Sequence, residues 1–246
     1  MRRRHFLQLP AAAMAAAPQV PEKSGMKITS VRLVRTRPRR PVPSYRPAPG
    51  SWSTQGVEVA NPMSIYPKYK ANRALFFPDP GHLGGFTVEI ATDKGIKGYG
   101  SGGPGGGAVV EGNLRKLLLG EDPFDIERLW DMMWRATMHY GRMGIAINGI
   151  SGVDIALWDL IGNALNMPVY KLIGGATKDR IPAYCTGNDI EQHAEFGFKM
   201  LKLAMPHGPA DGREGMRKNL ALVERARKAL GPDGEIMLDC WMAWTE

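Results

Sequence analysis

The sequence predicts an α+β domain, a three-stranded antiparallel sheet plus helices, followed by the first part of a parallel β/α barrel. Three observations carry this reading. Short β-branched stretches with period-two alternation, joined by a tight turn, occupy the first hundred residues. A long apolar stripe at helical spacing follows, in Ile150, Val153, Leu157, Ile161, Ala164 and Leu165. From Arg180 onward strands and helices alternate, the rhythm of parallel βα units. The expected division is a leader and linker over 1–25, the α+β domain with its junction helix over 26–179, and three barrel strands over 180–246.

Met26 to Val34 alternates and reads as the first strand. Residues 37–62 form a Pro- and Gly-rich loop carrying Tyr45 and Trp52, long enough to suggest a binding loop or lid. Gly85–Ala91 and Ile96–Gly100 are the next two strands, joined by a turn at Asp93-Lys94-Gly95. The glycine run from Gly102 to Gly107 lacks the Gly-Lys-Ser/Thr of a phosphate loop and reads as a flexible connection. Asp125 is placed to cap a helix toward Thr137, with Leu129, Met132 and Met133 as its apolar face. Asn166 and Pro168 end the junction helix, and its Asp154 and Asp159 read as surface ion-pair or capping groups.

In the last third, Ile181–Cys185, Lys199–Ala204 and Ile236–Cys240 read as strands. Residues 189–196 and Arg213–Leu230 read as the helices between them. Met216, Leu220, Val223 and Leu230 are the expected buried side of the second, which Gly231-Pro232 stops. This is less than half a barrel, so the third strand is expected to present an unpaired edge and the chain to aggregate.

Composition narrows the function classes. Apolar residues make up 43% and charged residues 23%, a globular balance. Of the net charge of +8, Arg2, Arg3 and Arg4 supply three. A second basic cluster (Arg32, Arg35, Arg37, Arg39, Arg40, Arg46) has no nucleic-acid motif beside it and reads as an anion-attracting or solvated edge. No unbroken apolar stretch reaches the ~18 residues of a membrane span. Cys185 and Cys240 fall on the first and third parallel strands, two strand spacings or about 10 Å apart, and read as packed thiols. Arg3-Arg4-His5-Phe6-Leu7-Gln8, followed by an Ala-rich segment, is a twin-arginine pattern, so export to the periplasm is expected.

The candidate chemistry sits at strand ends. Met200, Lys202 and Ala204 share one face of their strand, and Met237, Asp239 and Trp241 share one face of theirs. With Leu201, Leu203, Ile236 and Leu238 packed outward under helices, Lys202 and Asp239 point into the barrel mouth from neighbouring strands. That pair either fills the interior or serves an α-proton abstraction, in which Asp239 is one hard oxygen ligand to Mg²⁺ and Lys202 polarises a substrate carboxylate or acts as a base.

At these residues the chain resembles the mandelate racemase branch of the enolase superfamily. Ser151-Gly-Val-Asp-Ile-Ala-Leu-Trp-Asp-Leu160, continuing to Pro168-Val-Tyr-Lys-Leu-Ile-Gly-Gly175, looks like that branch's junction of cap domain and barrel. Asn61-Pro-Met-Ser-Ile-Tyr66, Arg73, Lys202 to Gly212 and Leu238-Asp-Cys-Trp-Met242 are similar to L-rhamnonate dehydratases of the branch. The resemblance implies a cap domain before a (β/α)₇β TIM-like barrel, Mg²⁺ held by three strand-end carboxylates, and a small acid sugar as substrate. By position Asp239 matches the first metal ligand, Arg73 a substrate-binding cap arginine, and Trp241 a pocket-lining residue. Lys202 takes the catalytic position, and His207, in the loop after the second barrel strand, is placed to touch substrate. Many members carry Lys-x-Lys where this chain has Lys202 and Ala204, which fits a dehydratase better than a two-base racemase. The remaining metal carboxylates and a His–Asp base belong to later strands. The expectation is therefore the N-terminal part of a homo-oligomeric hydro-lyase, inactive alone, with a non-catalytic binding homologue or another reaction of the branch as alternatives.

Overall fold

The computed structural model describes residues 24–37, 40, 59–66, 68 and 83–244. The leader, Tyr45, Trp52, Arg73 and, from the basic cluster, Arg39 and Arg46 lie outside the described residues. The chain divides into two compact units, one running to Val34 and resuming over Phe86–Leu172, the other comprising Arg35–Gly85 and Ile173 onward.

The first unit is built on an antiparallel sheet in the order β1 (Ile28–Val34), β2 (Phe86–Thr92), β3 (Lys97–Gly102). Val31 pairs with Ile90 and Leu33 with Val88, which turns one apolar face inward. Across the next ladder Ile90 meets Gly98, Val88 meets Gly100 and Phe86 meets Gly102, so the inward face of β3 has no side chains. Helix α4 (Ile145–Leu165) fills that space. A Cβ on Gly100 would lie 2.0 Å from the Gly152 carbonyl oxygen, and one on Gly98 would lie 2.1 Å from that of Ala156. Strand and helix backbones approach so closely because neither carries bulk there. Between β3 and α4 run α1 (Gly106–Val109), a π-helical turn (Val110–Leu114), α2 (Arg115–Leu118) and α3 (Ile126–Thr137). Val88, Ile90, Leu114, Leu129, Met133, Val153, Leu157 and Leu160 form the core between these layers.

Three expectations need correction here. The glycine run is no flexible connection: Gly106 and Gly107 are buried in α1, and a Cβ on Gly106 would strike the backbone of Gly149 at 2.5 Å. Asp125 stands at the start of α3, but its carboxylate bonds Arg128 instead of a backbone N–H. Asp159 has no ion-pair or capping role among the described residues; its Oδ2 accepts the Tyr99 backbone N–H at 2.8 Å, tying α4 to β3. Helix α4 is also long and apolar enough to cross a membrane. Here its buried residues pack on the sheet as a core helix. After α4 comes the single turn α5 (Val169–Leu172).

The second unit holds a parallel sheet in the order β4 (Cys185–Thr186), β5 (Met200–Ala204), β6 (Glu235–Asp239). Helices α6 (Ile190–Glu195) and α7 (Gly212–Leu230) connect the strands. Leu201 and Leu203 are fully buried with Ile190, Met205 and Ala226. The first strand is shorter than expected: Ile181 is 86% exposed and lies before it. The buried side of α7 is rotated in part from the expected one, since Val223 and Leu230 pack on this core as expected. Gly215, Asn219 and Ala226 are buried, whereas Met216 and Leu220 are exposed. Apolar periodicity missed the polar Asn219, which earns its burial by hydrogen bonding the His207 backbone. Cys185 and Cys240 are free, half-buried thiols, as expected.

Candidate functional site at the parallel sheet edge

The parallel register sets Lys202 beside Met237 and Ala204 beside Asp239, so the two charged side chains meet on a diagonal. Lys202 Nζ stands 2.8 Å from Asp239 Oδ2. Asp239 Oδ1 accepts the Trp241 backbone N–H at 3.1 Å. The pair is half-buried, with side-chain exposures of 33% and 26%.

Partial burial alone pushes the Asp239 carboxyl up, but the Lys202 ammonium and the Trp241 amide together hold it below its ordinary value. The hydrogen bond and charge of Asp239 push Lys202 up in turn. At neutral pH this is therefore a carboxylate beside an ammonium. A carboxylate has about four lone-pair directions. The donors above use one on each Asp239 oxygen, which leaves capacity for a cation. The donor type and position fit one Mg²⁺ ligand. Among the described residues no group of three His, Cys, Asp or Glu side chains is assembled around a common point.

The other sequence-predicted site residues are placed as follows. Trp241 begins a turn immediately beyond β6, at φ 47°, with Met242 at φ 58°. His207 lies in the loop after β5, with Nδ1 3.7 Å from Asp211 Oδ2. The Asn219 amide and the Trp244 indole both donate to its carbonyl, at 2.9 and 3.2 Å. His207, Met216, Asn219 and Trp244 thus line a pocket of about 210 Å³ against α7. The structure joins Lys202 with Asp239, and groups His207 with Asp211 and Asn219.

Sequence reasoning missed two contributors. The Asn188 side chain takes both backbone groups of Ala204, at 2.9 and 3.0 Å, which replaces the ladder that the short β4 cannot continue. From the same unit, the Ala60 N–H bonds the Met205 carbonyl at 2.9 Å. The following turn, Pro62–Ile65, is locked by Asn61, whose side chain accepts from Met63 N–H while its own N–H donates to Ser64 Oγ. The Asn-Pro-x-Ser pattern was the available signal, since Asn before Pro is a strong turn start.

Comparison with known proteins agrees with this architecture. Residues 85–174 match the mandelate racemase / muconate lactonizing enzyme N-terminal domain. The L-rhamnonate dehydratase of Saccharopolyspora erythraea is 40% identical over 187 residues, 75% of this chain and 47% of that protein. The crystal structure of rhamnonate dehydratase from Gibberella zeae complexed with Mg superposes with a TM-score of 0.77 at 36% identity, covering 91% of this chain and 55% of that one. A racemase from Streptomyces coelicolor with bound magnesium gives 0.58 at 32% identity over 65% of this chain and 48% of that one. The chain spans about half the length of the curated relatives it matches. With its antiparallel cap sheet and its parallel βα sheet, the chain carries a mandelate racemase / muconate lactonizing enzyme N-terminal domain over residues 85–174 and is similar to the N-terminal half of L-rhamnonate dehydratases.

Proposed function

We propose that this chain serves a Mg²⁺-dependent acid-sugar dehydratase acting on L-rhamnonate or a close relative. The observation that carries the reading is Asp239, an ionised, half-exposed carboxylate at the C-terminal edge of a parallel sheet, the edge where barrel enzymes collect catalytic groups. Support comes from similar proteins named for L-rhamnonate, one of them solved with Mg. Bound Mg²⁺ would supply Lewis-acid stabilisation of the enediolate formed when the proton α to a carboxylate leaves.

Asp239 offers oxygen to the cation. Lys202 stays protonated because Asp239 stabilises its charge, which suits it to hold a substrate carboxylate rather than to act as a base. Arg73, outside the described residues, is proposed to bind substrate, and Trp241 and His207 to border the same space. With the α-proton passed to a base outside these residues, the β-hydroxyl would leave as water and the resulting enol would tautomerise to a 2-keto-3-deoxy acid. Ala204 stands at the spacing of a second lysine, so β5 carries Lys202 without a Lys-x-Lys partner, which weighs against a racemase with two lysine bases.

The test is an assay of 2-keto-3-deoxy product with Mg²⁺ and a panel of aldonic acids, using the protein expressed from its full genomic reading frame. Turnover should be highest on L-rhamnonate and fall by at least about 10²-fold in Asp239→Asn, the scale of losing one electrostatic catalytic group. Full activity in Asp239→Asn would remove the basis of the reading.

A further inference from the structure

The backbone bonds at the end of β5 change partners residue by residue. In a parallel sheet one residue sends both its N–H and its C=O to one neighbour, and the next residue sends both to the other. Ala204 faces the β4 side, where Asn188 satisfies it. Met205 faces the β6 side, and its N–H duly donates to the Asp239 carbonyl at 2.9 Å. Were β6 to continue, the Met205 carbonyl would next accept the N–H of Trp241. It does not. Trp241 and Met242 both adopt positive φ, in a turn closed by the Ala243 N–H on the Cys240 carbonyl at 2.8 Å. The Trp241 N–H swings back onto Asp239 Oδ1. The Met205 carbonyl accepts the Ala60 N–H instead.

This exchange has a physical reading. Left-handed backbone is disfavoured for a residue as bulky as Trp, so something must hold it there. Extending β6 would relieve that conformation and offer Trp241 a carbonyl. Ala60 donates to that carbonyl in place of Trp241. It is fully buried between Val59 and Asn61, and Asn61 fixes it through bonds to Val59, Met63 and Ser64 of 2.9–3.0 Å.

We propose that Ala60, held by the Asn61 turn, is a positioning residue for Asp239: by taking the Met205 carbonyl it keeps the Trp241 N–H on the carboxylate and fixes how that carboxylate faces the sheet edge. The functional meaning rests on Asp239 being the carboxylate of the proposed reaction, but the geometry does not. Docking of the 59–66 segment and orientation of Asp239 become one event, linked through a single peptide group.

The test is NMR of the full chain, reading the sign of φ at Trp241 and Met242 from Cα shifts and amide–Hα couplings. Ala60→Pro deletes the donor, and Asn61→Ala opens the turn that presents it. Both should lose the left-handed signature at Trp241 that the wild type shows. Asn188→Ala, which loosens β5 from the opposite side, should keep it, so general fraying of the strand end is distinguished from the specific exchange. Retention of the left-handed signature in Ala60→Pro, or in Asn61→Ala if the proline variant does not fold, overturns the proposal. So does its loss in Asn188→Ala. Neither metal nor substrate enters the experiment, so absence of dehydratase activity would leave its outcome intact, and its failure would leave the dehydratase reading standing.

Discussion

Two carboxylates in this chain show how surroundings separate a fully paired acid from one with lone pairs to spare. Glu89, on the outer face of β2, is 5% exposed and receives the Tyr99 hydroxyl, the Arg32 guanidinium and the Lys97 ammonium. Both its oxygens are occupied by protein donors. Asp239 has one ammonium and one amide and faces the open end of a sheet. Burial pushes the Glu89 carboxyl up, but its three partners more than reverse this and hold it below its ordinary 4.5. The sign follows from linkage. A carboxyl depressed in the folded state stabilises above its unfolded pKa, and that stability is lost as pH falls through the folded value. Melting the chain from about pH 7 down to about pH 3 should show stability falling below 4.5 in the wild type. Glu89→Gln should be less stable at neutral pH and show a flatter acid limb. An unchanged pH profile in Glu89→Gln would mean the cluster does not couple to folding.

Among the elements, β3 and α4 carry the clearest dependence on single atoms. The stripe of Gly98, Gly100 and Gly102 faces α4 across a gap that no Cβ fits, and the obstructing atoms at Gly100 are backbone, which cannot rotate away. Gly100→Ala should therefore destabilise by about 1–3 kcal/mol or more, the usual cost of overpacking. Gly112, in the π-helical turn, has nothing within 4 Å of a built Cβ, so Gly112→Ala should stabilise by about 0.5–1 kcal/mol. Urea denaturation of the two variants checks the contrast, and equal effects would refute the close-approach account. Such elements also show what was legible in advance. Strand alternation, the α4 stripe and the Lys202–Asp239 juxtaposition follow from period alone, because each is local. The tightness of the glycine run, the rotated face of α7 and the roles of Asn188 and Ala60 depend on what lies opposite in space. Glycine spelled flexibility to a linear reading, whereas the opposing backbone makes it a packing requirement. Apolar spacing marks Met216, Leu220, Val223 and Leu230 as the buried stripe of α7; Val223 and Leu230 do pack on the core, but at the N-terminal half the helix turns its polar Asn219 inward, where it bonds both backbone groups of His207.

For the whole molecule, what is left uncovered matters as much as what is packed. The described parallel sheet ends at β6, and outside it Leu238 is 46% exposed beside Ile236, Val223 and the stems of Arg227 and Lys228, around a groove of about 590 Å³. A sheet edge offers unpaired N–H and C=O groups, and an apolar face beside it adds a driving force for association. Charge opposes this, since the chain carries a formal +8, and salt screens that repulsion over about 10 Å at 0.1 M. The expected behaviour of residues 1–246 in isolation is therefore concentration-dependent self-association that grows with salt. Leu238→Lys puts charge on the outer face of the edge strand without touching Lys202 or Asp239, which lie on the opposite face, and should suppress the association. Sedimentation velocity at two salt concentrations reads both effects. Association that persists unchanged in Leu238→Lys would locate the adhesive surface elsewhere, with the exposed Met143 and Tyr140 beyond α3 as the next face to alter.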